Sequence, residues 1–123
     1  MKVFKTKSFA QWAKGLRVTD AKLSAAVTEM EQGLIDASLG HGLYKKRIAV
    51  PGKGKRGGAR TIVAYKQAEK AFFIYGFAKN EKDNIDAKEK EALVKYASIL
   101  VGLDARQMKQ TTLGGELIEV NHE

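Results

Sequence analysis

The sequence predicts an α+β domain, and three observations carry that prediction. Apolar residues recur at helical spacing in one segment near each end of the chain. Between these segments lie β-branched and aromatic runs separated by turn residues. Read in order, the chain is a strand, two helices, three antiparallel strands, one long helix and a tail, which makes a sheet of three or more strands with helices on one face. The opposite face would then be free to work.

Each element has its own signal. KVFKTKSF forms a short opening strand, and a short helix starting at Ser8 or just after it runs through Trp12 to Leu16. A second helix starts at Thr19 with Asp20 as N-cap, carries Leu23, Val27, Met30 and Leu34 as core, and ends near Gly33. LGHGLY is glycine punctuation and LYKKRIAV a strand. PGKGKRGG, with four glycines and a proline, reads as a mobile or tightly turned loop. ARTIVAYKQ and KAFFIYGFAK are strands, and QAEK between them leaves room for a hairpin. Asp86 with Glu89 makes a capping-box-like start to a helix whose stripe is Leu93, Ala97, Leu100 and Val101, ending near Gly102. A short helix from Asp104 to Gln110 and the tail GELIEV complete the chain.

With 123 residues the chain fits a single domain, 1–123. The lack of cysteine removes disulfides and a thiol nucleophile, and suits a reducing cytosol. His41 and His122, the only histidines, lie in dissimilar contexts and argue against a histidine zinc site, so no metal or cofactor is expected. No apolar run reaches membrane-helix length, and MKVFKTKSFAQW lacks a signal peptide's apolar middle, so a cytoplasmic protein with no membrane partner is expected.

Charge is concentrated. Of the net +8, from 22 basic and 14 acidic residues, the segment from Lys45 to Arg60 holds seven cations (Lys45, Lys46, Arg47, Lys53, Lys55, Arg56, Arg60) and no acid. The rest of the chain has 15 basic against 14 acidic residues, or +1. Such focusing suits a polyanion, with a merely solvated cationic loop as the bland alternative. Gly52, Gly54 and Gly57 spell G-x-G-x-x-G, but a strand comes next where a dinucleotide site needs a helix, and Gly-Lys lacks the Ser or Thr of a phosphate-binding Walker loop. What remains is a cationic glycine loop between two strands, whose backbone can approach phosphate while arginine adds bidentate geometry. Arg60, at the start of a strand, should be better fixed than Lys53 or Lys55; its structural alternative is an ion pair with an acid of NEKD. Tyr75, Phe77 and Lys79 alternate along one face of the aromatic strand, and Tyr75 and Lys79 can do more than pack. Trp12 reads as an amphipathic-helix anchor, with base stacking as the alternative.

KKRIAVPGKGKRGGARTIVAYK, with FFIYGFAKNEKDNI after it and the closing GELIEV, resembles the HigB-like branch of the RelE/ParE toxin superfamily of type II toxin–antitoxin modules. The resemblance covers about Leu39 to Val120. It implies a small RelE-like fold, a twisted antiparallel sheet packed against N-terminal helices with a C-terminal helix, holding a basic groove. RelE-type members cut messenger RNA in the ribosomal A site, whereas ParE-type relatives inhibit gyrase, and fold alone does not choose between them. The implied partners are messenger RNA, the ribosome and a cognate antitoxin, a helix-turn-helix protein encoded next door.

Cleavage without metal requires a proton to leave the RNA 2′-hydroxyl, an extra negative charge to be stabilised and a proton to reach the departing 5′-oxygen. By resemblance, Lys45 and Arg47 fall where RelE-type toxins place alternating basic residues for catalysis and RNA contact. Arg60 matches the strand-start arginine that stabilises the transition-state phosphate, and Lys79 the basic position that stabilises or protonates the leaving group. Lys46, Lys53, Lys55 and Arg56 would grip RNA. The chain departs from the pattern at Ala59, where many relatives carry an aromatic residue, and it has no clear match for the C-terminal tyrosine, which leaves Tyr75 as the substitute. His41, in a glycine turn, and His122, at a frayed tail, are given no role. A gyrase inhibitor and a noncatalytic RNA- or ribosome-binding domain stay open beside the endonuclease.

Overall fold

The computed structural model describes residues 1–52, 54–82 and 84–122, with the side chains of residues 54–57 outside that description. The elements run β1 (Lys2–Thr6), α1 (Lys7–Gly15), α2 (Asp20–Glu31), β2 (Ala37–Gly40), β3 (Leu43–Val50), β4 (Gly54–Lys66), β5 (Lys70–Ala78), α3 (Ala87–Val101), α4 (Ala105–Leu113) and β6 (Leu117–Val120). This is the expected α+β class. The six strands form one sheet in the order β2-β3-β4-β5-β1-β6, antiparallel except for the parallel β1–β5 pair.

Three expectations about the architecture need correcting. Helices cover both faces: α1 and α2 pack one cluster around Phe9, Leu23, Val27, Met30 and Phe73, and α3 and α4 pack another around Phe72, Ala97, Leu100 and Met108. The tail GELIEV supplies β6, which pairs with β1 and so extends the sheet. The glycine loop is much shorter than expected, because β4 begins at Gly54, and Val50 pairs with Gly54. A ladder partner compensates for the weak strand propensity of glycine.

Local chemistry explains the element starts. Thr6 and Thr19, extended at ψ 160 and 163, accept hydrogen bonds from the N–H groups of Phe9 and Lys22 and so cap α1 and α2; Asp20 is the first residue of its helix, not the cap. Asp86 and Glu89 form the expected capping box, and Asp104 and Gln107 form a second. Leu34 lies beyond α2 and is exposed, so the helical core stripe ends at Met30. Gly40, His41 and Gly42 all have positive φ, which turns β2 back along β3 as a hairpin. Phe9, Phe72 and Phe73 are fully buried, each contributing about 1.5–3 kcal/mol of apolar transfer.

His122 is not frayed. Its Nδ1 lies 2.7 Å from Ser24 Oγ and its Nε2 3.0 Å from Glu31 Oε1, which ties the segment after β6 to α2. No helix among the described residues is long and apolar enough to cross a membrane.

Strand β5 is only partly flanked. β1 pairs with its first half alone, Lys70 to Phe73, before the chain turns into α1 at Lys7. The edge of Ile74 to Ala78 that faces away from β4 is therefore not covered by β1, and Trp12 of α1 lies against Gly76 there.

Candidate functional site

Cross-strand register assembles the site. Arg47 on β3 pairs with Arg60 on β4, which pairs with Phe77 on β5; Lys45, Ile62 and Tyr75 form the adjacent row of the same face. Strands lie about 4.8 Å apart, so the two guanidinium-bearing positions are neighbours and Phe77 flanks them. A bulge between Ile62 and Val63 shifts the β4–β5 register, so that Ile74 and Tyr75 both pack toward the α3 side. Without it, strict alternation would send Tyr75 to the opposite face from Phe72.

Two arginines side by side repel, and an acid manages that repulsion. Asp36 Oδ2 accepts from the Arg47 backbone N–H at 2.6 Å and its Oδ1 accepts from Arg47 Nε at 2.7 Å. Burial pushes the Asp36 pKa up, but the two hydrogen bonds and the charges of Arg47 and Lys46 outweigh it and hold the carboxyl below its ordinary value. Arg60 is 9% exposed. Its burial, and after that the charge of Arg47, lowers its pKa, while Asp36 pulls the other way. Arg60 is therefore a largely buried guanidinium with both Arg47 and Asp36 among its charged neighbours.

Tyr75 belongs to a second network. Its hydroxyl donates to Glu89 Oε2 at 2.8 Å, and Lys82 Nζ donates to both Glu89 oxygens at 2.6 Å and to Tyr75 Oη at 3.4 Å. The ammonium also sits 5.7 Å from the Tyr75 ring centroid and 5.9 Å from that of Phe77. Burial, and then the bond to Glu89, raise the Tyr75 pKa, so the phenol stays protonated. Glu89 is held down at about 2 from an ordinary 4.5, chiefly by Lys82 and then by the Asp86 N–H and Tyr75. A depressed carboxyl stabilises the fold fully above the unfolded value and loses that contribution as pH falls from about 4.5 through about 2. Glu89→Gln keeps a side chain that can complete the capping box, and is expected to lower the melting temperature at pH 7 by roughly 2–5 °C. Circular dichroism melts should show the gap to wild type closing between pH 4.5 and pH 2. A gap that persists at pH 2 would mean the loss is not ionic.

Of the residues singled out in the sequence, Lys45, Arg47, Arg60 and Tyr75 therefore share one face. Lys45 is half-buried and Lys79 exposed just beyond β5, where its N–H bonds the Gly58 carbonyl at 3.3 Å. Lys46 points to the other face: it is 4% exposed, pairs with Glu29 at 2.7 Å and donates to the Leu34 carbonyl at 2.9 Å. Lys53 and the side chains of Lys55 and Arg56 lie outside the described residues. So does Asp83, one of the acids considered as a partner for Arg60. Sequence reasoning missed Asp36, Glu89 and Lys82 as site residues. The capping box had signalled Glu89's place on the helix; the pairing of Asp36 with Arg47 has no local signal.

A family model described as the RelE toxin of the RelE / RelB toxin-antitoxin system matches residues 1–120. The chain belongs to this RelE toxin family. As a RelE-family toxin it is one half of a toxin–antitoxin system and has an antitoxin as partner. The small RelE-like fold and the RelE/ParE superfamily expected from the motifs hold across the chain. In this RelE-family toxin two of the strands carrying those motifs, β3 and β4, bring the two arginines together, and the third, β5, sets Phe77 beside Arg60.

Proposed function

We propose that this RelE-family toxin, of the HigB-like branch, is an endoribonuclease that cuts ribosome-bound messenger RNA and so arrests translation. The carrying observation is the cross-strand Arg47–Arg60 pair, with Asp36 holding Arg47, on the same sheet face as Lys45 and the aromatic pair Tyr75 and Phe77. Cations concentrated on a fixed sheet suit a pentavalent phosphate, whose charge grows as the transition state forms.

In this reaction the 2′-oxygen bonds to phosphorus and the bond from phosphorus to the 5′-oxygen breaks, leaving a 2′,3′-cyclic phosphate and a 5′-hydroxyl. Arg60, with Arg47 beside it, stabilises the added negative charge. Lys45, on the same face, serves the 2′-oxygen, and Lys79 the departing 5′-oxygen; between them they remove one proton and return one. Tyr75 contributes its ring and its network, since its proton already serves Glu89. Lys53, Lys55 and Arg56 grip backbone phosphates, whereas Lys46, engaged by Glu29 on the far face, has no part. No cofactor is needed. The antitoxin, a helix-turn-helix protein encoded next door, would silence the toxin in the cytoplasm by covering this basic groove.

Cleavage mapping in a purified translation system tests the reading. Cuts in messenger RNA that require ribosomes are expected. Intact RNA and normal translation with wild-type protein would overturn it and favour gyrase inhibition, which a supercoiling assay detects, or ribosome binding without chemistry.

A further inference from the structure

The open edge of β5 borders a cavity of about 440 Å³ next to the cationic row. Its walls include Trp12, Tyr75 and Phe77, and its polar groups include Ser8, Glu81 and Lys82. We infer that this cavity is a nucleobase pocket selective for guanine, seating the base of a nucleotide adjacent to the phosphate bound by Arg60. The base's place beside a scissile phosphate rests on the endonuclease reading; binding of the base does not.

Lys82 already lies over the Tyr75 and Phe77 rings, so the part-exposed indole of Trp12 is the wall that offers its π-face to a base, and the size falls within that of small-molecule sites. Trp12 is held in place from behind. Its ring packs 5.3 Å from Phe9 by centroids and lies on Gly76, where a Cβ would fall inside the indole. Position fits as well: Phe77 is the cross-strand partner of Arg60, so one strand spacing, about 5 Å, separates the pocket wall from the cation.

Selectivity comes from Glu81. Lys82 is committed to Glu89, but the Glu81 carboxylate makes no hydrogen bond or ion pair among the described residues. A carboxylate beside a phosphate site repels the RNA backbone, a cost that a donor-bearing base would offset. Guanine alone among the four RNA bases presents two adjacent donors, N1–H and the 2-amino group, which match the two carboxylate oxygens. Adenine and cytosine set their amino group beside an acceptor nitrogen, and uracil flanks its single N–H with carbonyls, so each meets the carboxylate with a repulsive neighbour.

Trp12 is the only tryptophan, so its fluorescence reports the pocket directly. Titration with GMP, AMP, CMP and UMP should give saturable quenching, tightest for GMP. Glu81→Gln, on the surface, should weaken GMP by about 10-fold and leave UMP unchanged. Equal affinity for all four nucleotides, no quenching, or a GMP affinity unmoved by Glu81→Gln would overturn the inference. The two readings fail separately. Guanine-selective quenching without RNA cleavage would sink the endonuclease and leave the pocket standing, whereas ribosome-dependent cleavage without nucleotide discrimination would do the reverse.

Discussion

Arg60→Ala should reduce messenger RNA cleavage by a factor of about 10²–10³, the usual loss when one fixed donor to a developing oxyanion is removed. Arg60→Lys should recover only part of it, because an ammonium keeps the charge but not the planar fork that meets two phosphate oxygens at once. Stability is expected to move differently from activity. Arg60→Met, which retains an apolar stem that packs where the arginine's does, should lose cleavage to the same degree as Arg60→Ala while still melting cooperatively as a folded domain. Rates in the purified translation system and calorimetric melts of all three variants check this. Cleavage at the wild-type rate by a folded Arg60→Met would overturn the phosphate assignment.

Gly76→Ala should destabilise the fold by about 1–3 kcal/mol, or roughly 5–12 °C in melting temperature. Ordinarily, exchanging a strand glycine for alanine stabilises by about 0.4–1 kcal/mol through the unfolded chain. Here the added Cβ would lie within 2.5 Å of Trp12 Cε3 and Cη2 and closer still to Cζ3. The indole is backed by Phe9, itself fully buried 5.4 Å from Phe73, so it has little room to retreat. Overpacking therefore outweighs the entropy gain. A double-mutant cycle isolates the contact: in a Trp12→Ala background, Gly76→Ala should be neutral or stabilising. An equal loss in both backgrounds would show that the contact with Trp12 is not the cause.

The most legible feature was charge, because it is a local property of the chain. Seven cations without an acid between Lys45 and Arg60 are a concentration of positive charge that can be read from the chain whatever the fold. Alternation along a strand then separates Lys45 and Arg47 from Lys46. Taking Lys46 as an RNA contact overlooked that period, and also a partner, Glu29, that is seventeen residues away in the chain and adjacent only in space. Asp36 was invisible for the same reason, since its role depends on β2 turning back along β3.

By itself the sequence determined the α+β class, the strand LYKKRIAV, the hairpin at QAEK, the Asp86–Glu89 capping box and the cationic cluster. Each rests on interactions within a few residues, where propensity, capping and periodicity act. Only the tertiary structure decided which cations meet, which are neutralised and what surrounds them. The Ile62–Val63 bulge turned Tyr75 toward the site, the end of β1 left half of β5 uncovered, and β6 and the two helix layers closed the remaining faces. These outcomes depend on strand register and packing between distant segments, where a shift of one residue reverses the face that every side chain presents.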